Sequence, residues 1–275
     1  MMLPADLVNI RNHLYRRVQY WWLISLAISV GVLTLALLGL WFATPRLIGL
    51  GGLFALLAPA AIAWAREAAS LNFLRADKCR RVMLYGDGLG HPVSGEDLAQ
   101  IRAWALGSKI KDAGFVKPYY SSTKQLGPQR LADIVAESAF FTEFLSGKMA
   151  GALWVSFVLV LMGAALSLYA ADFTSERAEQ VVLLLAKSAA VLVSFLLAGD
   201  VLLLAKKYGD LRRDAHHAFL RCAQLREEPG LTVDLVRTVV EDYGIALLQA
   251  PPILTFVYSL YRDELNRIYR ISHST

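Results

Sequence analysis

The 275-residue chain reads as an all-α integral membrane protein, with four transmembrane helices, cytoplasmic helical stalks and a small cytoplasmic helical domain. Apolar residues make up 56% of it and charged residues only 19%. Ordinary soluble domains hold about 45–50% and about 25%. The apolar excess is gathered into four blocks, each near the roughly 20 residues that cross about 30 Å of hydrocarbon as a helix. The positive charges flanking those blocks fall on one side of the membrane. This pattern excludes disorder and coiled coil. Two cysteines, Cys79 and Cys222, are too few for a disulfide framework and are not spaced as a metal site.

The first block, residues 21–43, carries no charge, and Pro45 forbids its continuation as a regular helix. The second, 47–64, is also uncharged, with Pro59 as a kink that membrane helices tolerate. The third is 149–171, and the fourth, 181–205, contains Lys187 and Asp200. Trp21, Trp22, Trp41, Trp64, Trp154, Tyr169 and Tyr208 fall near block ends, where interfacial aromatics belong. The first block exceeds the roughly 7–15 residues of a signal-peptide core, so it is expected to be retained.

Orientation follows from counting cations. Arg11, Arg16 and Arg17 precede the first block; Arg66, Arg75, Lys78, Arg80 and Arg81 follow the second; Lys206, Lys207, Arg212 and Arg213 follow the fourth. The two intervening turns hold only Arg46 and Arg177. Both termini and the middle segment are therefore expected in the cytoplasm of a multi-pass protein. The division is 1–65, an N-terminal helix and first transmembrane pair; 66–148, a cytoplasmic insert; 149–205, the second pair; and 206–275, a cytoplasmic helical tail. The outer turns are too short for a folded site, so recognition belongs to the insert or the tail. The net charge of +5 is explained by topology and attraction to the lipid bilayer, and no DNA or RNA polymer is expected as partner.

The helices are expected to run past the bilayer as stalks. After Trp64 no Gly or Pro appears until Gly86, and Leu71, Leu74, Cys79 (or Lys78), Val82 and Tyr85 approximate a helical stripe. Pro128 suits the first turn of a helix leading into the third block, with Leu131, Ile134, Phe141 and Leu145 on one face and Ser138 interrupting it. A third stalk continues the fourth block as far as Glu228-Pro229-Gly230. Between the first two stalks, 86–127 reads as turn-rich, with a short helix at 95–106 started by Ser94, Glu96 and Asp97. In the tail Thr232 caps a helix through Leu248, Ala250-Pro251-Pro252 breaks it, and 253–271 forms the last helix.

Catalytic signatures are missing: no GxSxG, HExxH, P-loop, GxGxxG or CxxC occurs, and Gly86, Gly88 and Gly90 read as a turn. Neither a metal nor a cofactor is expected. His91, His216 and His217 read as solvated polar residues, and the cysteines as reduced packing residues. Asp200 is the informative exception, because a carboxylate in a span needs a cavity, water or a partner. It sits at a watery bundle rim or against a stalk cation, or it lines a conduit or an oligomer seam. Lys187 lies about 220° around the helix from it and cannot pair with it. Small residues four apart, Ala27 and Gly31, Gly147 and Gly151, and Ala190, Ser194 and Ala198, suit close helix packing within or between chains. Lys117, Tyr119, Tyr120, Ser121, Lys124 and Arg130 form a candidate ligand-binding group that combines ring stacking with phosphate-binding cations. The competing reading is a structured turn with its tyrosines in the cytoplasmic core.

The order of two spans, an insert, two spans and a helical tail resembles the SMODS-associating four-transmembrane effectors of bacterial CBASS-type antiphage defence. The matching stretches are Gly88-Leu89-Gly90-His91-Pro92 with Glu96 and Leu98, Lys117 to Ser122, Gly127-Pro128-Gln129-Arg130 and Glu137-Ser138-Ala139-Phe140-Phe141. In the tail they are Ala250-Pro251-Pro252-Ile253-Leu254-Thr255, Tyr258 and Arg262-Asp263-Glu264-Leu265-Asn266. The resemblance implies a non-enzymatic homo-oligomer of the bacterial inner membrane. It also implies a cyclic-oligonucleotide signal that activates the oligomer to disrupt that membrane. A constitutive small ion channel or transporter is the alternative. A membrane-embedded enzyme is disfavoured, since Asp200, Lys187 and scattered serines do not converge at one depth.

Overall fold

The computed structural model describes residues 5–42, 45–106, 120–171, 179–198, 201–228 and 230–273. Every regular element among them is an α-helix: α1 (Ala5–Phe42), α2 (Pro45–Leu89), α3 (Gly95–Trp104), α4 (Pro128–Ala171), α5 (Glu179–Ala198), α6 (Val201–Glu227), α7 (Val233–Gln249) and α8 (Thr255–His273). The boundaries follow local chemistry. Pro45 and Pro128 each open a helix at its first position, where a missing N–H is harmless. Ser94 caps α3 by accepting the Asp97 N–H at 3.0 Å. Gly90, at φ +71°, ends α2 in the left-handed conformation that glycine adopts without strain.

The helices group into two units: Tyr20–Ala68 with Met149–Lys206, and Met1–Gln19 with Ala69–Lys148 and Lys207–Thr275. In the first unit the apolar side chains face outward. α1, α2 and α4 are long and apolar enough to cross a membrane, yet only 6%, 11% and 6% of their most apolar windows are buried within the chain. Leu56, Leu57, Val155, Leu159 and Met162 are all exposed. A surface of this kind belongs in lipid. The hydroxyls on these helices donate to their own backbone, as a bilayer requires: Ser29 to Ser25 O at 3.0 Å, Thr34 to Val30 O at 2.8 Å and Ser156 to Ala152 O at 2.8 Å. Trp21 meets Trp64 edge-on at 4.8 Å, so the start of one apolar run lies beside the end of the next. Gly31 lies where an added Cβ would be 3.4 Å from the Phe54 ring, whereas Gly151 has nothing within 4 Å. For the fourth expected span, the described apolar helix is the shorter Leu183–Val193. Asp200 lies outside the described residues.

The second unit is a helical domain with two apolar clusters. One joins α4 (Leu131, Ile134, Val135, Ala139), α6 (Ala215, Ala218, Cys222, Leu225) and α7 (Val236, Val239, Val240, Tyr243) to Leu84 of α2. The other joins Leu7, Ile10 and Leu14 of α1 to Ala76, Cys79 and Met83 of α2 and Ile101 of α3. The buried face of α2 therefore differs from the expected stripe. Leu71 and Leu74 are exposed, while Ala69, Asn72, Ala76, Asp77 and Arg80 are buried. Small and polar residues turn inward because other helices approach α2 from two sides. The expected turn at Gly86 and Gly88 is also corrected, since α2 runs on to Leu89. Gly88 is needed there for proximity: an added Cβ would lie 2.8 Å from Leu131 Cδ1 and 3.0 Å from Leu131 Cα.

Gly88→Ala should therefore lower stability by about 1–3 kcal/mol through overpacking. Gly209→Ala, on α6 with open space around it, should cost nothing. Thermal unfolding of the detergent-solubilised protein checks both.

Candidate functional site

The helical domain contains a cleft of about 950 Å³, large for a small-molecule site. Seven separate stretches of chain line it. They are the N-terminal part of α1, mid-α2, the loop 120–123, the first half of α4, Leu211 of α6, Tyr243 and Leu247 of α7 with the 251–253 linker that follows it, and α8.

Its charged floor is built on α2. Arg80 donates from Nε to Asp77 Oδ1 at 2.9 Å, with Nη2 2.8 Å from the same oxygen. Both side chains are buried, so the pair satisfies the requirement that a charge withdrawn from water be neutralised. Arg81 reaches the second oxygen of Asp77 at 2.9 Å. Arg80 Nη1 is buried and has no hydrogen-bond partner among the described residues. The Arg80 guanidinium also lies 5.5 Å from the Tyr243 ring centroid, within cation–π range.

Tyr243 ties α7 to α4. Its hydroxyl is 2.7 Å from Thr142 Oγ1 and 3.2 Å from Ser138 Oγ, and it donates to Ser138 O at 3.1 Å. Ser138, which interrupts the apolar face of α4, is thus answered by a phenol from another helix. Burial pushes the Tyr243 phenol above its ordinary pKa, so it stays a neutral donor. Burial likewise pushes the Cys222 thiol up to about 12 and makes it a packing residue.

Aromatic rings and cations dominate the lining. Tyr15 and Phe73 meet edge-on at 6.0 Å, and Phe141 lies 6.5 Å from Tyr258 and 6.2 Å from Tyr269. Among the described residues, Arg11, Arg80 and Arg262 line the cleft with one carboxylate, Glu137. That carboxylate already accepts the Ser121 N–H at 3.0 Å and the Ser121 hydroxyl at 2.8 Å. Such a cleft is chemically suited to an anion that carries flat rings.

The candidate ligand-binding group from the sequence is divided by the structure. Lys117 and Tyr119 lie outside the described residues. Tyr120 is buried and lines the cleft, and Ser121 lines it while held by Glu137. Lys124 is exposed, 3.6 Å from Asp133, which Arg226 also pairs at 2.8 Å. Arg130 is a bracket: it donates to Asp87 O at 2.7 Å, to Ser122 O and Lys124 O at 2.9 Å each, and to Asp87 Oδ1 at 3.0 Å. It fixes the 120–124 loop to the end of α2. Of the intramembrane pair, Lys187 is exposed on α5. His216, expected to be merely solvated, has Nδ1 3.0 Å from Glu143 Oε1. Among the described residues no group of three or more His, Cys, Asp or Glu could hold a metal.

Sequence reasoning missed Arg11, Phe73, Arg80, Tyr243 and Tyr269 as cleft residues. The available signal was an Asp77–Arg80 pair at i,i+3 on a stalk whose inward stripe was expected to be apolar. Of the stretches quoted for the resemblance, Ser122, Glu137, Phe141, Pro251, Tyr258 and Arg262 line the cleft, while Gly88–Pro92, Glu96, Leu98 and Gly127–Arg130 are not among its lining residues.

Asp77→Ala should strand the buried Arg80 cation and cost about 3–5 kcal/mol, whereas Asp77→Ala with Arg80→Met should recover most of it. Denaturant unfolding of the two variants measures the difference.

No protein-family model, no curated protein and no solved structure matches the chain.

Proposed function

We propose that the chain is a membrane effector of a nucleotide-signalled antiphage defence system. In this reading it crosses the bacterial inner membrane four times, with helical stalks and both termini in the cytoplasm. A cyclic oligonucleotide enters the cleft and shifts the helices of a homo-oligomer, and the membrane becomes permeable. The observation that carries this is the composition of the cleft, with three arginines, one already engaged carboxylate and a wall of aromatic rings. Phosphates favour guanidinium groups, and bases stack on rings with little regard to sequence.

The helices offer a means of coupling. α1, α2 and α4 each contribute cleft residues and each continue unbroken into an apolar run. A ligand can bias such an equilibrium only by its differential affinity for the two arrangements. Moving a two-state system from 1:99 to 99:1 takes a preference of about 10⁴-fold. Several guanidinium–phosphate contacts at about 1.5–3 kcal/mol each are enough for that.

The test uses vesicles holding the purified protein and a panel of cyclic di- and trinucleotides. Depolarisation that depends on one of them is expected. Arg262→Ala, an exposed change that leaves the buried pair intact, should weaken that response about 10- to 100-fold. Flux without any nucleotide would instead favour the constitutive channel. No flux under any condition would overturn both readings.

A further inference from the structure

The tail of the helical domain carries an apolar patch that the cleft does not use. Phe256 and Leu260, four residues apart on α8, are 66% and 73% exposed. Residues at this spacing share one helix face. The surrounding segment is tied to the residues at which the apolar runs end. Gln19 directly precedes Tyr20, the start of the membrane unit. Its side chain donates to Ile253 O at 3.4 Å and accepts the Thr255 hydroxyl at 2.6 Å. Lys148 directly precedes Met149, where α4 enters that unit, and its Nζ lies 5.6 Å from the Tyr261 ring centroid. Tyr208, just after Lys206 and Lys207, donates to Pro252 O at 3.0 Å. Three independent ties therefore hold 252–261 at the level where the chain changes from polar to apolar. Farther along, the Tyr269 hydroxyl reaches Asp133 O at 3.4 Å, back up α4, so the rest of α8 leads away from that level.

We propose that the first turns of α8 seat Phe256 and Leu260 in the headgroup region of the bilayer, as an interfacial anchor of the helical domain. Lipid is the occupant because the ties set the depth. The flanking cations suit anionic headgroups as well: Arg16, Arg17, Lys148 and Lys207 are all exposed. Asp263 and Glu264, exposed one turn further on, lie on the side of Leu260 that leads toward Tyr269 and its contact with Asp133. The inference rests on the apolar helices lying in lipid and is independent of any nucleotide.

Leu260→Cys and Phe256→Cys, each bearing an environment-sensitive fluorophore, test it in nanodiscs containing one copy of the chain and anionic lipid. The native Cys79 and Cys222 are buried and should stay unlabelled in the folded protein. Leu235→Cys, exposed on α7, is the aqueous reference. Probes at 256 and 260 should be quenched several-fold more by shallow doxyl-labelled lipid than the probe at 235, and correspondingly less by iodide. Equal iodide quenching at all three positions overturns the proposal. So does shielding from both quenchers, which would mean that protein covers the patch. If the variants do not fold, photoreactive-lipid crosslinking of the unaltered chain decides: an adduct on the peptide holding Phe256 and Leu260 supports the anchor, and its absence overturns it.

Discussion

Peptide groups in hydrocarbon have no water to bond, so a chain that enters lipid must satisfy them within itself. That constraint governs this protein more than any single contact. It accounts for three helices long and apolar enough to cross a membrane and for hydroxyls turned back onto their own carbonyls. It also means that a helix leaving the bilayer need not stop there. α1, α2 and α4 each run on beyond their apolar stretches to contribute residues to the cleft.

The second demand is electrostatic. Arg80 is a cation placed where water is scarce, and the surroundings are organised to keep it charged. Asp77 supplies the counter-ion, the Tyr243 ring supplies a π face, and the Tyr243 hydroxyl is held by Ser138 and Thr142. α2, α4 and α7 are thereby linked through one charge. A buried pair of this sort is weak evidence for stability and better evidence for specificity, because misplacing one helix leaves the charge uncompensated. Here the same guanidinium also lines the cleft, so the device that fixes the packing contributes directly to the cleft wall.

Elements whose causes are local were legible in the sequence. Ser94, Pro45, Pro128 and Ala250-Pro251-Pro252 act through adjacent backbone groups, and the helix limits fall close to where those residues place them. The uncharged blocks announced lipid-compatible helices for the same reason. The cleft was not legible, because it is assembled from positions as far apart as Arg11 and Tyr269. Tyr120 and Ser121, singled out because rings and hydroxyls cluster there in sequence, line the cleft, whereas Arg130 bonds backbone carbonyls. A cation beside a candidate site looks the same whether it awaits a ligand or holds a loop, and only the carbonyls of Asp87, Ser122 and Lys124 decide it. The buried face of α2 was misjudged because a single stripe was sought on a helix that other helices contact from two sides.

That double contact has a mechanical consequence. Leu84 belongs to one apolar cluster, and Ala76, Cys79 and Met83 to the other. Protein interiors are packed as densely as organic crystals, so α2 has no slack in either direction. Tilting it toward one cluster opens a void against the other, and the energy rises with the volume of that void. α2 is in effect sprung between two seats, and whatever displaces it must overcome a restoring force that both clusters exert.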